Sequence, residues 1–170
     1  LFVETDFVPL ELQSAYRTLA RDCDQAATDI LSAMSTGDFQ RVHGDCHGGN
    51  ILWREDSPHF VDLDDCVSGP VVQDIWMLLN GDRNQRERQL ADFIEGYEEF
   101  NDFDARQLRW IEALRTLRIM HHSAWLARRW SDPAFPKAFP WFGHQRFWAD
   151  HILELREQLS AMQEAPIRLL

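Results

Sequence analysis

The chain has 170 residues, 45% of them hydrophobic, with seven Trp and eleven Phe, which is enough apolar material for a packed core and too much for a disordered segment. Seventeen basic against 28 acidic residues leave a net charge of −11, which argues against the basic face of a nucleic-acid binder. No apolar run approaches the ~20 residues of a membrane span and no basic-then-apolar leader opens the chain, so a cytoplasmic protein with no nucleic-acid or membrane partner is expected. Cys23, Cys46 and Cys66 are odd in number and lack metal-ligand spacing, which speaks against a disulfide framework.

The opening Leu1 to Phe7 is apolar and has no starting Met, and reads as part of something longer. Pro9 then suits a first helical turn, and Leu12, Tyr16, Leu19, Cys23, Ala26 or Ala27, Ile30 and Met34 recur at three-to-four spacing, predicting a helix over 9–35 that Gly37 ends. Next come Arg41 to Trp53 and His59 to Asp65, in which two short apolar runs, Ile51 to Trp53 and Phe60 to Leu63, flank the turn-rich Glu55-Asp56-Ser57-Pro58. That pattern predicts a β-hairpin. Val67 to Pro70 reads as a connector, Val71 to Leu79 as a short apolar helix ended by Asn80-Gly81, and 86–100 as a helix with Leu90, Phe93, Ile94 and Tyr97 on one stripe. Asp104 is placed to cap a helix of about 27 residues, the prolines from Pro133 to Pro140 break it, and a last helix is expected over 144–163. Repeats and low-complexity tracts are absent from the sequence.

The acidic and amide residues sit at the ends of the expected hairpin. Asp45 precedes the first strand, Asn50 opens it and Asp62 ends the second, so folding the hairpin lets Asn50 and Asp62 converge. Both offer hard oxygen ligands suited to Mg²⁺, an ion that keeps several waters and takes few protein groups besides substrate phosphates. Asp45, on a loop with Gly48 and Gly49, is then available to orient a hydroxyl and accept its proton. A base, a metal-binding Asn and a metal-binding Asp are the parts of a phosphoryl-transfer site.

The stretch His43-Gly44-Asp45 with Asn50 and Val61-Asp62-Leu63-Asp64 resembles the catalytic loop of aminoglycoside phosphotransferases and choline kinases. The longer text is similar to the bacterial stress response kinase A family, particularly at 43–53, 61–65, 72–81 and 128–137. The resemblance implies a chain that is mostly α with a small β-hairpin, residues 1–170 forming the C-terminal helical lobe of a protein-kinase-like fold. It also implies ATP as co-substrate and a hydroxyl acceptor, with Ser or Thr of proteins as the first choice and a bacterial stress response as the setting. In such families an Asp at the place of Asp74 bonds the catalytic-loop backbone, and that role is expected here, because a charge in apolar company needs a partner. His43 is expected to support the same loop.

A kinase also needs a Gly-rich phosphate-covering loop and a strand Lys. The single Lys is Lys137, and no Gly-rich strand pair precedes residue 41. The nucleotide-clamping lobe is therefore expected to lie outside these residues, and the chain alone is expected to have little kinase activity. Gly44 stands where protein kinases carry an Arg, and Leu63-Asp64 where they carry Phe-Gly, which favours a small-molecule acceptor on chemistry alone. Two further readings stay open: a metal-dependent phosphohydrolase using His43, Asp45, His47, Asp62 and Asp64, and an inactive interaction module. Asp64 and Asp65 fit a metal site, a cationic acceptor or a solvated loop equally. Cys46 beside Asp45 reads as a small buried residue rather than a reactive thiol, and nothing in the sequence specifies an oligomeric state.

Overall fold

A computed structural model describes residues 7–169, so the opening apolar run over 1–6 lies outside the described residues. Helices make up most of the described chain, joined by two small antiparallel ribbons. The contacts divide it into two compact units, residues 7–32 with 112–164 and residues 33–111 with 165–169.

The first unit is helical. Helix α1 (Leu10–Leu31) starts after Pro9, whose fixed φ suits that place, and buries Tyr16, Leu19, Ala20, Cys23 and Ala27 along the expected stripe. It stops four residues short of the expected end. Ser35 instead opens a separate 3₁₀ turn, Thr36–Asp38, and both its backbone N–H and its hydroxyl donate to the Asp38 carboxylate at 2.8 Å. Helices α4 (Ile111–Arg129), α5 (Ala134–Ala138) and α6 (Gln145–Ala161) complete the unit. The Pro-rich stretch folds into α5 and a turn that buries Phe142 completely, its ring 5.0–5.5 Å from those of Phe7, Trp130, Phe147 and Trp148. The Cys23 thiol donates to the Leu155 carbonyl at 3.4 Å, and burial, with the charge of Asp22 adding, pushes its pKa up to about 11.

The second unit carries both ribbons. Strand β1 (Gln40–Val42) pairs with β4 (Val67–Gly69), and β2 (Ile51–Arg54) forms a hairpin with β3 (Ser57–Phe60). Residues 67–69, read from the sequence as a connector, are thus a strand; three-residue strands are too short for alternation to show. The hairpin turn is two residues, Glu55 and Asp56, both at positive φ, the twist that two-residue hairpins need. The second strand therefore begins at Ser57 and ends at Phe60, earlier than the apolar run from Phe60 to Leu63 suggested. Ile51, Trp53, Pro58 and Phe60 share one face of this hairpin, with Trp53 71% and Phe60 51% exposed.

The rest of the unit is helical. Helix α2 (Val72–Ile75) runs into a 3₁₀ turn, Trp76–Leu78. Helix α3 (Arg83–Glu98) begins at Arg83 rather than the expected Arg86, because Asp82 and Gln85 form a reciprocal capping box. Asp104 caps a 3₁₀ turn, Ala105–Trp110, and not the start of one long helix. Its carboxylate accepts from the Arg106 N–H and guanidinium, which tightens the chain there, and α4 starts at Ile111. Residues 165–168 are held through their main chain: the Arg83 guanidinium donates to the Ala165 and Pro166 carbonyls, and the Arg168 N–H donates to Glu87.

Because Phe142 is fully buried among four rings, Phe142→Ala is expected to destabilise the first unit by about 3–5 kcal/mol. Leu10→Ala, at a side chain 82% exposed, should stay within about 0.5 kcal/mol. Urea midpoints of the two variants against the parent check the pair, and equal midpoints would contradict this core.

Candidate functional site

Strand β1 delivers the chain into a loop over residues 43–50, and α2 supplies what holds it. The His43 backbone N–H donates to Asp74 Oδ2 at 2.7 Å and the Gly44 N–H to Asp74 Oδ1 at 2.9 Å, so each carboxylate oxygen takes one amide. Gln73 Nε2 adds a bond to the Gly44 carbonyl at 3.1 Å. Two successive amides can face one carboxylate because Gly44 adopts φ +86°, a left-handed geometry that costs an L-residue about 1–2 kcal/mol. Space closes the position as well, since a Cβ on Gly44 would stand 2.3 Å from the Asp65 carbonyl oxygen.

The buried imidazole of His43 links this loop to the hairpin. Its Nδ1 accepts from the Asp45 N–H at 3.3 Å and its Nε2 lies 2.9 Å from the Val61 carbonyl, a pattern that assigns the proton to Nε2. Asn50 makes a second link. Its side-chain Nδ2 donates to the Asp45 carbonyl at 3.0 Å, while its own carbonyl accepts from the Val61 N–H at 3.0 Å. Asn50 closes a 3₁₀ turn, Gly48–Asn50, rather than opening β2, and the Val61 bond continues the hairpin ladder one residue beyond the strands. Asp62 comes next, exposed and in the left-handed region (φ 62°, ψ 64°), before a 3₁₀ turn over Leu63–Asp65. Asp62 therefore lies past the end of β3, where that left-handed residue turns the chain aside.

The arrangement thus ties Asp45, Asn50 and the residue before Asp62 into one hydrogen-bonded frame hung from Asp74. With its amide nitrogen spent on Asp45, Asn50 keeps its Oδ1 as an acceptor, and Asp62 supplies a carboxylate; both are hard oxygen donors. Among the described residues no group of three or more His, Cys, Asp or Glu side chains could hold a metal ion. A metal ion here would have to draw on Asn50, which that set does not include, and on Asp62. Cys46 is buried, and burial first, then the charges of Asp74 and Asp45, pushes its thiol up to about 11, so it stays protonated beside Asp45. Asp64 and Asp65 are exposed.

One participant had no assigned part in the sequence reading, and another had one only in the phosphohydrolase alternative. Gln73 clasps Gly44, and its only sequence signal is a polar pair, Gln73-Asp74, opening an apolar helix. His47 caps the Gly48–Asn50 turn with its ring, and its signal is its place just before Gly-Gly-Asn.

Comparisons with known proteins place the chain in a family. Stress response kinase A of Escherichia coli strain K12 is 46% identical over 175 residues, covering 99% of this chain and 51% of its own. Serine/threonine protein kinase RdoA of Salmonella typhimurium is 51% identical over 149 residues, covering 84% of this chain and 45% of its own. The chain therefore spans about half the length of the curated relatives it matches. Among solved structures, amicoumacin kinase hAmiN in complex with AMP-PNP, Ca²⁺ and Ami matches with a TM-score of 0.65 at 20% identity, over 98% of this chain and 47% of that one, which shows a shared fold. No described helix is long and apolar enough to cross a membrane. A profile of the phosphotransferase enzyme family matches residues 4–111, well over half of the chain and the whole of the loop held by Asp74, and the chain belongs to that family.

Proposed function

We propose that residues 1–170 are the C-terminal catalytic lobe of an ATP- and Mg²⁺-dependent phosphotransferase, working in the cytoplasm on Ser or Thr hydroxyls of proteins. The observation that carries this reading is the frame around Asn50, whose side chain bonds the Asp45 carbonyl and whose main chain bonds Val61 next to Asp62. Family membership removes the phosphohydrolase alternative. The names of the relatives support a protein hydroxyl as acceptor and a stress response as setting. A small-molecule acceptor is the second reading, favoured by the fold shared with an amicoumacin kinase and by Gly44, which leaves no room for a side chain between His43 and Asp45.

In this reading Asp45 receives the proton of the acceptor hydroxyl as that oxygen bonds the γ-phosphorus and the bond to the β-phosphate oxygen breaks, releasing ADP. Asn50 Oδ1 and the Asp62 carboxylate would hold the metal, with Asp62 in the left-handed region just after Val61, whose N–H bonds the Asn50 carbonyl. Mg²⁺, when bound, neutralises charge on the phosphates. His43 and Asp74 hold the loop and do not touch the reacting atoms.

The test uses the complete gene product with labelled ATP, offering casein and kanamycin as protein and small-molecule acceptors. Asp45→Asn should leave ATP affinity near normal and lower kcat by about 100-fold or more. Unchanged turnover would remove Asp45 from the role, and transfer to kanamycin alone would overturn the protein acceptor.

The metal pair is separable by titration. Asp62→Ala should nearly abolish Mg²⁺-dependent turnover, whereas Asn50→Ala should mainly raise the Mg²⁺ concentration required, because water replaces a neutral ligand more readily than a charged one. Equal metal dependence in the parent and both variants would contradict the assignment.

Asp74→Ala strips two loop amides of their acceptor, at about 1–3 kcal/mol for each amide left dry. Asp74 is half-buried, so water offsets part of this and the lower end is expected. The variant should melt several degrees lower and lose turnover, and an unchanged melting temperature would show that the two bonds contribute nothing.

A further inference from the structure

The His47 imidazole is held in one orientation by its own turn. Its Nδ1 accepts from the Gly49 N–H at 3.0 Å, so a neutral ring carries its proton on Nε2. Its backbone carbonyl accepts from the Asn50 N–H at 2.9 Å, which fixes the residue from the main-chain side too. The ring also fills space that only glycine leaves: a Cβ on Gly49 would lie 2.8 Å from His47 Cε1 and 3.0 Å from Nδ1. With Nδ1 engaged, Nε2 stands 3.7 Å from Asp45 Oδ2, with the His47 side chain 45% and the Asp45 side chain 16% exposed. That separation exceeds hydrogen-bond range, and a small side-chain rotation closes it; contacts of this kind tighten in substrate complexes.

We propose that His47 is a positioning residue for Asp45. Its Nε2–H, aimed by the Gly49 amide, engages Oδ2 and leaves the other carboxylate oxygen directed at the acceptor hydroxyl. The last torsion of a carboxylate is broad and nearly two-fold, so a donor on one oxygen narrows the directions in which the other can point. The inference rests on the reading of Asp45 as base and adds the group that orients it.

Two conservative replacements separate positioning from capping. Asn at position 47 keeps an oxygen where Nδ1 was and still caps the turn, but has nothing at the place of Nε2. Gln reaches that place with an N–H. In the complete gene product, with Mg·ATP and water as the acceptor, His47→Asn should lower kcat about 10- to 100-fold with KM for ATP unchanged, the scale of one lost charge-assisted hydrogen bond. His47→Gln should recover most of the loss, and His47→Asn should add nothing in an Asp45→Asn background. Parental turnover in His47→Asn, or loss in His47→Gln alone, would assign His47 to capping and overturn the proposal.

Asp45→Asn serves as the control. If it retains turnover, the reading of Asp45 fails; if it loses turnover while His47→Asn does not, only the present inference fails. A readout independent of turnover is ¹⁵N NMR of the histidine-labelled protein. The His47 pattern should be that of the Nε2–H tautomer, and its Nε2 resonance should shift on Asp45→Asn. An Nδ1–H tautomer, or an Nε2 signal indifferent to Asp45, would equally overturn the proposal.

Discussion

One carboxylate sets the geometry of the loop over residues 43–50. Asp74 takes the amides of His43 and Gly44 on its two oxygens, and two neighbouring amides point the same way only because Gly44 is left-handed. Fixing those peptides fixes the His43 ring, which reaches the Asp45 amide on one side and the Val61 carbonyl on the other. Positions 45, 50 and 62 are thereby related through backbone and imidazole bonds, without depending on contacts among their own charged ends. A loop built this way is held mainly through main-chain amides and carbonyls bonded to Asp74, Gln73 and His43.

Charge points the same way. The chain carries a net −11 and a single Lys, and Asp45, Asp62, Asp64 and Asp65 crowd one stretch of the second unit. A polyphosphate brought there meets repulsion unless cations come with it. The hard oxygens of Asn50 and Asp62 would suit a divalent cation that keeps several of its waters.

The fold class and the spacing of the candidate site residues were legible in the sequence for different reasons. Helices α1, α3 and α6 announce themselves by three-to-four spacing over several turns, where the periodic signal is strong. The β1–β4 ribbon has no such signal, because three residues cannot show alternation and the partners, from Gln40 with Gly69 to Val42 with Val67, are far apart in the chain. Boundaries failed where a cap lay outside the apolar pattern, as at Ser35, Asp82 and Asp104. In the site, the spacing of Asp45, Asn50 and Asp62 is visible as text. What no spacing could show is which atoms they bind: that Asn50 spends its nitrogen on Asp45, that Gln73 holds Gly44, or that the His47 ring rests against Gly49. Those are atomic contacts, two of them inside the loop and one between the loop and a helix about thirty residues on.

The hairpin face formed by Ile51, Trp53, Pro58 and Phe60 bears on how the chain behaves in solution. An exposed indole and phenyl ring on one small ribbon are a sticky patch on an otherwise strongly charged surface. At low ionic strength the net negative charge keeps copies of the chain apart. At about 1 M salt the screening length falls to ~3 Å and that protection disappears, while the apolar attraction stays. Colloidal behaviour of this chain should therefore run opposite to that of a protein held together by surface ion pairs, with added salt promoting association rather than dispersing it.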